Sequence, residues 1–183
     1  MYYKVKVKDF IRLPPEQFGK ELDDALIGEV KKKYDGYIDK DLGLVIDVEN
    51  IYEVGEGIII PGDGASYFET SFELITFIPE LQEVVYGTIK DIADFGAFMN
   101  LGPMDGMIHI SQAMNDFVSF AKDKTLAGKE TKRTLHVGDV CKARIIAISY
   151  KDITNPKLGL TMRQSGLGKE DWILADLEKK KKE

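Results

Sequence analysis

Tyr3, Val5 and Val7 alternate with Lys4, Lys6 and Lys8, the period-two pattern of a strand with one apolar face. Pro14-Pro15 ends that strand, because neither residue can donate to a ladder. Over residues 20–34 the apolar positions Leu22, Ala25, Leu26 and Val30 recur at helical spacing, and Lys31, Lys32 and Lys33 fall in the last turn, where cations complement the negative end of the helix dipole. Asp35-Gly36 stops this helix. Three β-prone stretches follow, at 42–48, 51–60 and 66–78. In the second, Gly55-Glu56-Gly57 reads as a turn between two strands; in the third, Phe68, Phe72, Leu74 and Ile78 share one parity. A strand, a helix and several further strands predict a small α+β domain. At this size its sheet is expected to have a face or edge that another surface covers.

From residue 83 the pattern changes to five short strands, at 83–92, 94–102, 106–111, 137–148 and 157–163, the count and spacing of a small five-stranded all-β barrel. In the third strand Ile108 and Ile110 point inward, which leaves His109 outside. In the fourth, Cys141, Ala143 and Ile145 share the inner parity, which leaves Lys142 and Arg144 outside. Strict alternation puts Phe95 and Phe98 on opposite faces of the second strand. Gly96 between them permits a bulge that shifts the phase and brings both rings to the outer surface. Aromatic rings beside cations form a platform for single-stranded nucleic acid, on which bases stack and phosphates meet the charges. The connection at 111–135 exceeds ordinary loop length and carries Lys122, Lys124, Lys129, Lys132 and Arg133, so it is expected to form part of a working surface. Beyond residue 167 a short helical tail sets Trp172, Ile173 and Leu177 in an apolar stripe and ends in the lysines at 179–182, read as a frayed helix end.

The 183 residues have a net charge of −6, which argues against a nucleic-acid binder until it is divided by region. Residues 1–82 carry nine Lys and Arg against seventeen Asp and Glu, residues 83–168 eleven against nine, and residues 169–183 five of each. The acidity therefore belongs to the N-terminal part, and the barrel is mildly basic. The single cysteine, Cys141, allows no internal disulfide, and two histidines, His109 and His136, are too few for a zinc cluster around it. No catalytic residue, metal ligand or cofactor site is expected, since no nucleophile has a base at supporting spacing. No apolar run reaches the ~18 residues of a membrane span and no signal peptide opens the chain, so the expected location is cytoplasmic, with no membrane partner. Pro61-Gly62-Asp63-Gly64-Ala65 reads as a tight exposed turn. A phosphate cradle there lacks the Lys and Ser/Thr of a P-loop, and a docking tip is the other functional reading.

The Gly87 start, Phe95-Gly96-Ala97-Phe98, Gly106-Met107-Ile108-His109-Ile110-Ser111, Gly138-Asp139-Val140 and Leu160-Thr161-Met162-Arg163 resemble, in order, the S1 RNA-binding domain, an OB-fold barrel. That resemblance implies single-stranded RNA contact through Phe95, Phe98, His109, Lys142, Arg144 and Lys157. The usual Asp near the end of strand four is Ser149 here, and Lys157 stands in for the basic residue that follows. Across the chain, Ile11-Arg12-Leu13-Pro14-Pro15-Glu16-Gln17-Phe18-Gly19, then Gly62-Asp63-Gly64, then Phe77-Ile78-Pro79-Glu80 leading into S1, and the Leu-Gly-Lys-x-x-Trp-Ile ending resemble the E-prime family of archaeal RNA polymerase stalk subunits, related to the seventh subunit of eukaryotic RNA polymerase II. The resemblance implies a truncated ribonucleoprotein-like docking domain at 1–82 and an S1 domain with a helical tail at 83–183. It implies a polymerase-docking loop at Gly62, Asp63 and Gly64, and a heterodimer with the small helical RNA polymerase component named F. It also implies contact with the polymerase core and nascent RNA, and no catalysis by this chain. The alternative is the S1 module of a translation or RNA-decay complex.

Overall fold

The lysine-alternating N-terminal segment is strand β1 (Tyr2–Leu13) in the computed structural model, which describes residues 1–121, 123–150, 152 and 156–180. Met1–Ile78 and Pro79–Glu183 fold as separate units. In the first, β1 ends at the prolines and Pro15–Gln17 makes one 3-10 turn before helix α1 (Leu22–Tyr34). Strands β2 (Ile38–Asp39), β3 (Gly43–Ile59) and β4 (Ser66–Phe77) complete an antiparallel sheet in the order β1-β4-β3-β2. Helix residues Ala25, Leu26, Val30 and Tyr34 bury themselves with Ile11, Leu13, Val45, Val48, Phe72 and Leu74. Leu22, at the start of the helical pattern, is exposed instead. The opposite sheet face carries ion pairs, among them Lys8–Glu69 at 3.0 Å and Lys4–Glu49, and Lys6 lies 4.5 Å over the Tyr52 ring.

The two stretches at 42–48 and 51–60 are one strand. Gly55-Glu56-Gly57 is not a turn but a bulge in β3, where the pairing with β4 steps from Val54–Thr70 to Gly57–Phe68. Three further register shifts along β3 let a 17-residue strand coil against β4 without reversing. An added Cβ at Gly57 would lie 2.9 Å from the Phe68 ring, which would have to shift to admit it.

The second unit begins with β5 (Val84–Ala93), β6 (Gly96–Asn100) and β7 (Asp105–His109). An insertion of β8 (Val118–Ala121), β9 (Thr125–Gly128) and β10 (Thr134–Leu135) follows, then β11 (Val140–Ser149), β12 (Lys157–Thr161), β13 (Gly168–Lys169) and helix α2 (Glu170–Lys180). The barrel closes as β5-β6-β7-β12-β11 and back to β5, with β7–β12 the parallel pair and β13 on the edge of β11. Ile89, Met99, Ile108, Cys141, Ala143, Ile145 and Leu160 fill it; Ile108, Cys141, Ala143 and Ile145 are inside as their parity predicts, while Ile110 is only partly buried against the core. The 111–135 connection is a three-stranded sheet, ordered β10-β9-β8, whose Leu126 and Leu135 enter the same core. Lys122 of that connection and Lys181 and Lys182 of the tail lie outside the described residues. In α2 only Trp172 of the apolar stripe is buried, while Leu177 is exposed. Arg133 holds the helix by lying 5.5 Å over the Trp172 ring and pairing with Asp176. Among the described residues no helix is long and apolar enough to cross a membrane.

Burial pushes the Cys141 thiol up to about 12. An unfolded thiol titrates near ~8.5, so this group opposes folding as the pH rises above that value. Native protein at pH 8.5 is expected to leave Cys141 unmodified by a thiol reagent over hours and to react fully within minutes in denaturant. Rapid modification of the native chain at an unchanged circular dichroism spectrum would contradict the burial.

Candidate nucleic-acid interface

The β5–β6 hairpin turns through Asp94 and Phe95, with Ala93 and Gly96 paired across it. Phe95 therefore sits in the turn and Phe98 on the outward parity of β6, between the buried Ala97 and Met99. The two rings meet edge to face, 5.9 Å between centroids and 85° between planes. Both lie on the outer surface, Phe95 47% exposed and Phe98 half-buried. The bulge expected at Gly96 is absent. The register shift in this hairpin lies on β5, between Ile89 and Asp91. Gly96 has a different reason to be glycine: a Cβ there would meet the Ile108 carbonyl oxygen at 2.1 Å.

Gly96 pairs with His109, and Phe98 with Met107, so His109 and Met107 extend the aromatic surface across β7. The His109 Nδ1 accepts from the Ser111 amide at 3.3 Å and lies 2.8 Å from its hydroxyl. A neutral ring then carries its proton on Nε2, which keeps an outward donor. Lys90 pairs with Asp105 at 2.7 Å, and Lys124 pairs with Asp91 at 2.8 Å and holds the Asp91 carboxyl below the usual range.

The other named residues lie apart from it. Lys142 pairs across to Tyr86, with its ammonium 5.5 Å over that exposed ring, and Arg144 is half-buried opposite Val84. Tyr86 precedes Asp91, the partner of Phe98, by five residues on β5, roughly 16 Å of strand. Lys157 is exposed at the start of β12, directly opposite Ser149, and the parallel register with β7 puts it at the Asp105 end, four residues along from His109. The structure thus brings together Phe95, Phe98 and His109, sets Lys142 and Arg144 with Tyr86 as a second group, and leaves Lys157 at a third position. Sequence reasoning passed over Tyr86 and Met107. The strand parity that selected Lys142 and His109 selects both equally well.

In the first unit, the loop after β3 is stapled shut. Arg12 donates from Nε and Nη2 to the two Asp63 oxygens at 2.9 and 2.8 Å, the Tyr67 hydroxyl donates at 2.8 Å and the Ala65 amide at 3.2 Å. The guanidinium first, then the phenol, hold this carboxyl far below the usual carboxylate range. Gly62 takes a positive φ of 94° that lets the chain reverse. Asp63 is thus an internal brace, and beside the loop the end of β3 leaves Ile58 and Ile59 exposed, followed by exposed Ile60, with Ile59 71% exposed. The linear pattern placed them in a β-prone stretch without showing that they stay exposed. Among the described residues no three His, Cys, Asp or Glu side chains converge as metal ligands.

Residues 8–64 match the family described as the SHS2 domain found in the N terminus of Rpb7p/Rpc25p/MJ0397, and residues 78–153 match the S1 RNA binding domain. The chain is 40% identical over 176 residues to DNA-directed RNA polymerase subunit Rpo7 of Saccharolobus solfataricus, covering 94% of this chain and 97% of that one. It is 36% identical over 183 residues, the whole of both chains, to the Rpo7 subunit of Sulfolobus acidocaldarius. To the RNA polymerase III subunit RPC8 of Bos taurus it is 28% identical over 163 residues, 85% of this chain and 79% of that one.

Proposed function

Because the chain belongs to the family of DNA-directed RNA polymerase subunits that includes Rpo7, with an SHS2 domain followed by an S1 domain, we propose that it is the non-catalytic stalk subunit of an archaeal polymerase. In this reading it pairs with the small helical component F and docks on the core through the loop of Gly62, Asp63 and Gly64. Its barrel receives nascent single-stranded RNA on Phe95, Phe98 and His109, with Lys142, Arg144 and Lys157 meeting phosphates farther along. The observation that carries the reading is the alignment with a polymerase subunit through both domains at nearly full length. A free-standing S1 module would share only the barrel. The braced loop supports the docking role: Asp63 fixes the backbone, and Ile59 and Ile60 offer apolar area to a protein surface. Outward rings whose neighbours Lys90 and Lys124 are already ion-paired suit light, weakly sequence-dependent contact, with most of the binding energy supplied by protein docking.

Affinity purification of the tagged chain from its own cells is expected to recover polymerase core subunits and one small helical partner in equal amounts. The purified chain is expected to bind single-stranded RNA with a log–log salt slope of about −0.7 per phosphate contact. Recovery of ribosomal or exonuclease proteins without polymerase would overturn the assignment in favour of a translation or decay module.

A further inference from the structure

The excess positive charge of the barrel region lies wholly in its insertion. Residues 83–168 carry eleven Lys and Arg against nine Asp and Glu. Residues 111–135 alone carry five against three, which leaves the remainder balanced at six each. The insertion also bears Phe117, 75% exposed, on a backbone that is firmly held: its amide donates to Asp116 at 2.6 Å and its carbonyl accepts from Lys129 at 2.9 Å. That bond sets exposed Lys129 directly across from the ring, next to the Val118–Gly128 pair.

Beside Phe117 opens a cleft of about 430 Å³, lined by Ile110, Ser111, Asn115, Asp116, Phe117, Val118, Glu130 and Arg163. Its near wall is continuous with the aromatic patch, since Ser111 is the residue hydrogen-bonded to His109. Arg163 lines the cleft, donates from Nε to Asn115 at 3.2 Å and has no ion pair among the described residues. Asp116 also lines the cleft, but the insertion's own donors occupy its oxygens. That carboxylate accepts from the amides of Phe117, Glu130 and Thr131 and from the Thr131 hydroxyl, which hold it below the usual range.

We propose that this cleft is a second nucleotide subsite, in which a base of single-stranded RNA leaving the Phe95–Phe98 platform stacks on Phe117 while Arg163 and Lys129 meet its flanking phosphates. The inference rests on the reading that the barrel binds RNA. The volume falls within the ~300–1,000 Å³ of small-ligand sites, enough for one nucleotide. Glu130 on the cleft wall repels phosphate and accepts only N–H or O–H donors, so it turns the base edge or the ribose hydroxyl toward itself and the phosphates toward Arg163. An RNA occupant is favoured over an apolar protein surface because an exposed ring beside Lys129 and Arg163, which have no ion pair among the described residues, is complementary to a stacked base and its phosphates, and because the cleft continues the aromatic surface beyond His109.

The test uses the full chain and fluorescein-labelled oligouridylates of 4 and 12 nucleotides, read by anisotropy. Phe117→Ala is expected to weaken 12-mer binding on the order of 5- to 30-fold and to leave 4-mer binding unchanged, since the short strand occupies the platform alone. Arg163→Gln is expected to lower the 12-mer salt slope by about 0.7. Photo-crosslinks from 4-thiouridine in the 12-mer are expected in the peptide bearing Phe117. Unchanged 12-mer affinity and slope in both variants, with the wild type still binding, would overturn the subsite and leave the platform standing. Loss of a polymerase subunit by Phe117→Ala at unchanged RNA affinity would overturn it in favour of a protein contact. Failure of the wild type to bind either strand would remove the platform reading, and the subsite with it.

Discussion

A Phe95→Ala/Phe98→Ala double variant of the full chain is expected to lose single-stranded RNA affinity by on the order of 100-fold, while its melting temperature falls only slightly. Stacking a base on an aromatic ring contributes ~1–3 kcal/mol, and two rings in edge-to-face contact present two such surfaces at one site. Neither ring is part of the barrel core, which is closed beneath them by Ala97, Met99 and Ile108. The stability change is therefore limited to the ring pair and partial burial, about 1 kcal/mol. The salt dependence separates this effect from a loss of charge. Removing rings lowers the affinity at every salt concentration and leaves the slope of log K against log salt unchanged, whereas Lys142→Ala changes the slope by about 0.7 per phosphate released. Anisotropy titrations at three salt concentrations measure both. Undiminished affinity in the double variant would remove Phe95 and Phe98 from the interface.

The second large effect is on the barrel itself. Gly96→Ala is expected to lower its unfolding free energy by about 2–4 kcal/mol, read as a shift in the denaturant midpoint of the barrel's transition at constant slope. The added Cβ would lie 2.1 Å from the Ile108 oxygen, 3.1 Å from the Ile108 carbonyl carbon and 3.0 Å from the His109 Cα. All three are backbone atoms, so no side chain can turn aside to make room. Relief requires β6 and β7 to part at their first pair, which loosens the bond from the Ile110 amide to the Phe95 oxygen, now 2.9 Å. That bond also orients the platform, so RNA affinity is expected to fall in the surviving folded fraction. A midpoint unchanged from the wild type would show that the strands separate without cost.

Both effects turn on features that the linear pattern describes unevenly. The alternation that put Cys141, Ala143 and Ile145 inside and His109 outside is a property of each strand alone, and the barrel obeys it. The phase of Phe95 and Phe98 is not such a property. Counting along one strand requires a bulge at Gly96 to bring the rings together, whereas the hairpin does it by ending β5 at Ala93 and leaving Phe95 in the turn. Gly55-Glu56-Gly57 misleads for the same reason. Two glycines permit a reversal or a bulge, and the choice was made by β4, which continues to pair on both sides of them. Ile58, Ile59 and Ile60 lay in a β-prone stretch and Phe117 in the long connection at 111–135, and neither context states which apolar side chains stay uncovered; all four are exposed.

Local chemistry along the chain was enough to determine the two-part organisation, the five barrel strands with their inner faces, the helix that closes the first domain and the concentration of acidity in that domain. Those follow from periods of 2 and 3.6 residues and from proline and glycine stops, which act within a few positions. Tertiary structure decided the register of β3 on β4, the brace of Arg12 on Asp63 across 51 residues, and the separation of Lys142 from Phe98, which pair with opposite edges of β5 at positions five residues apart. It also decided the cleft where Arg163 meets the insertion. Each of these depends on which strand lies beside which. Pairing and close backbone approach are set by residues far apart in the chain, and no period within a single segment records them.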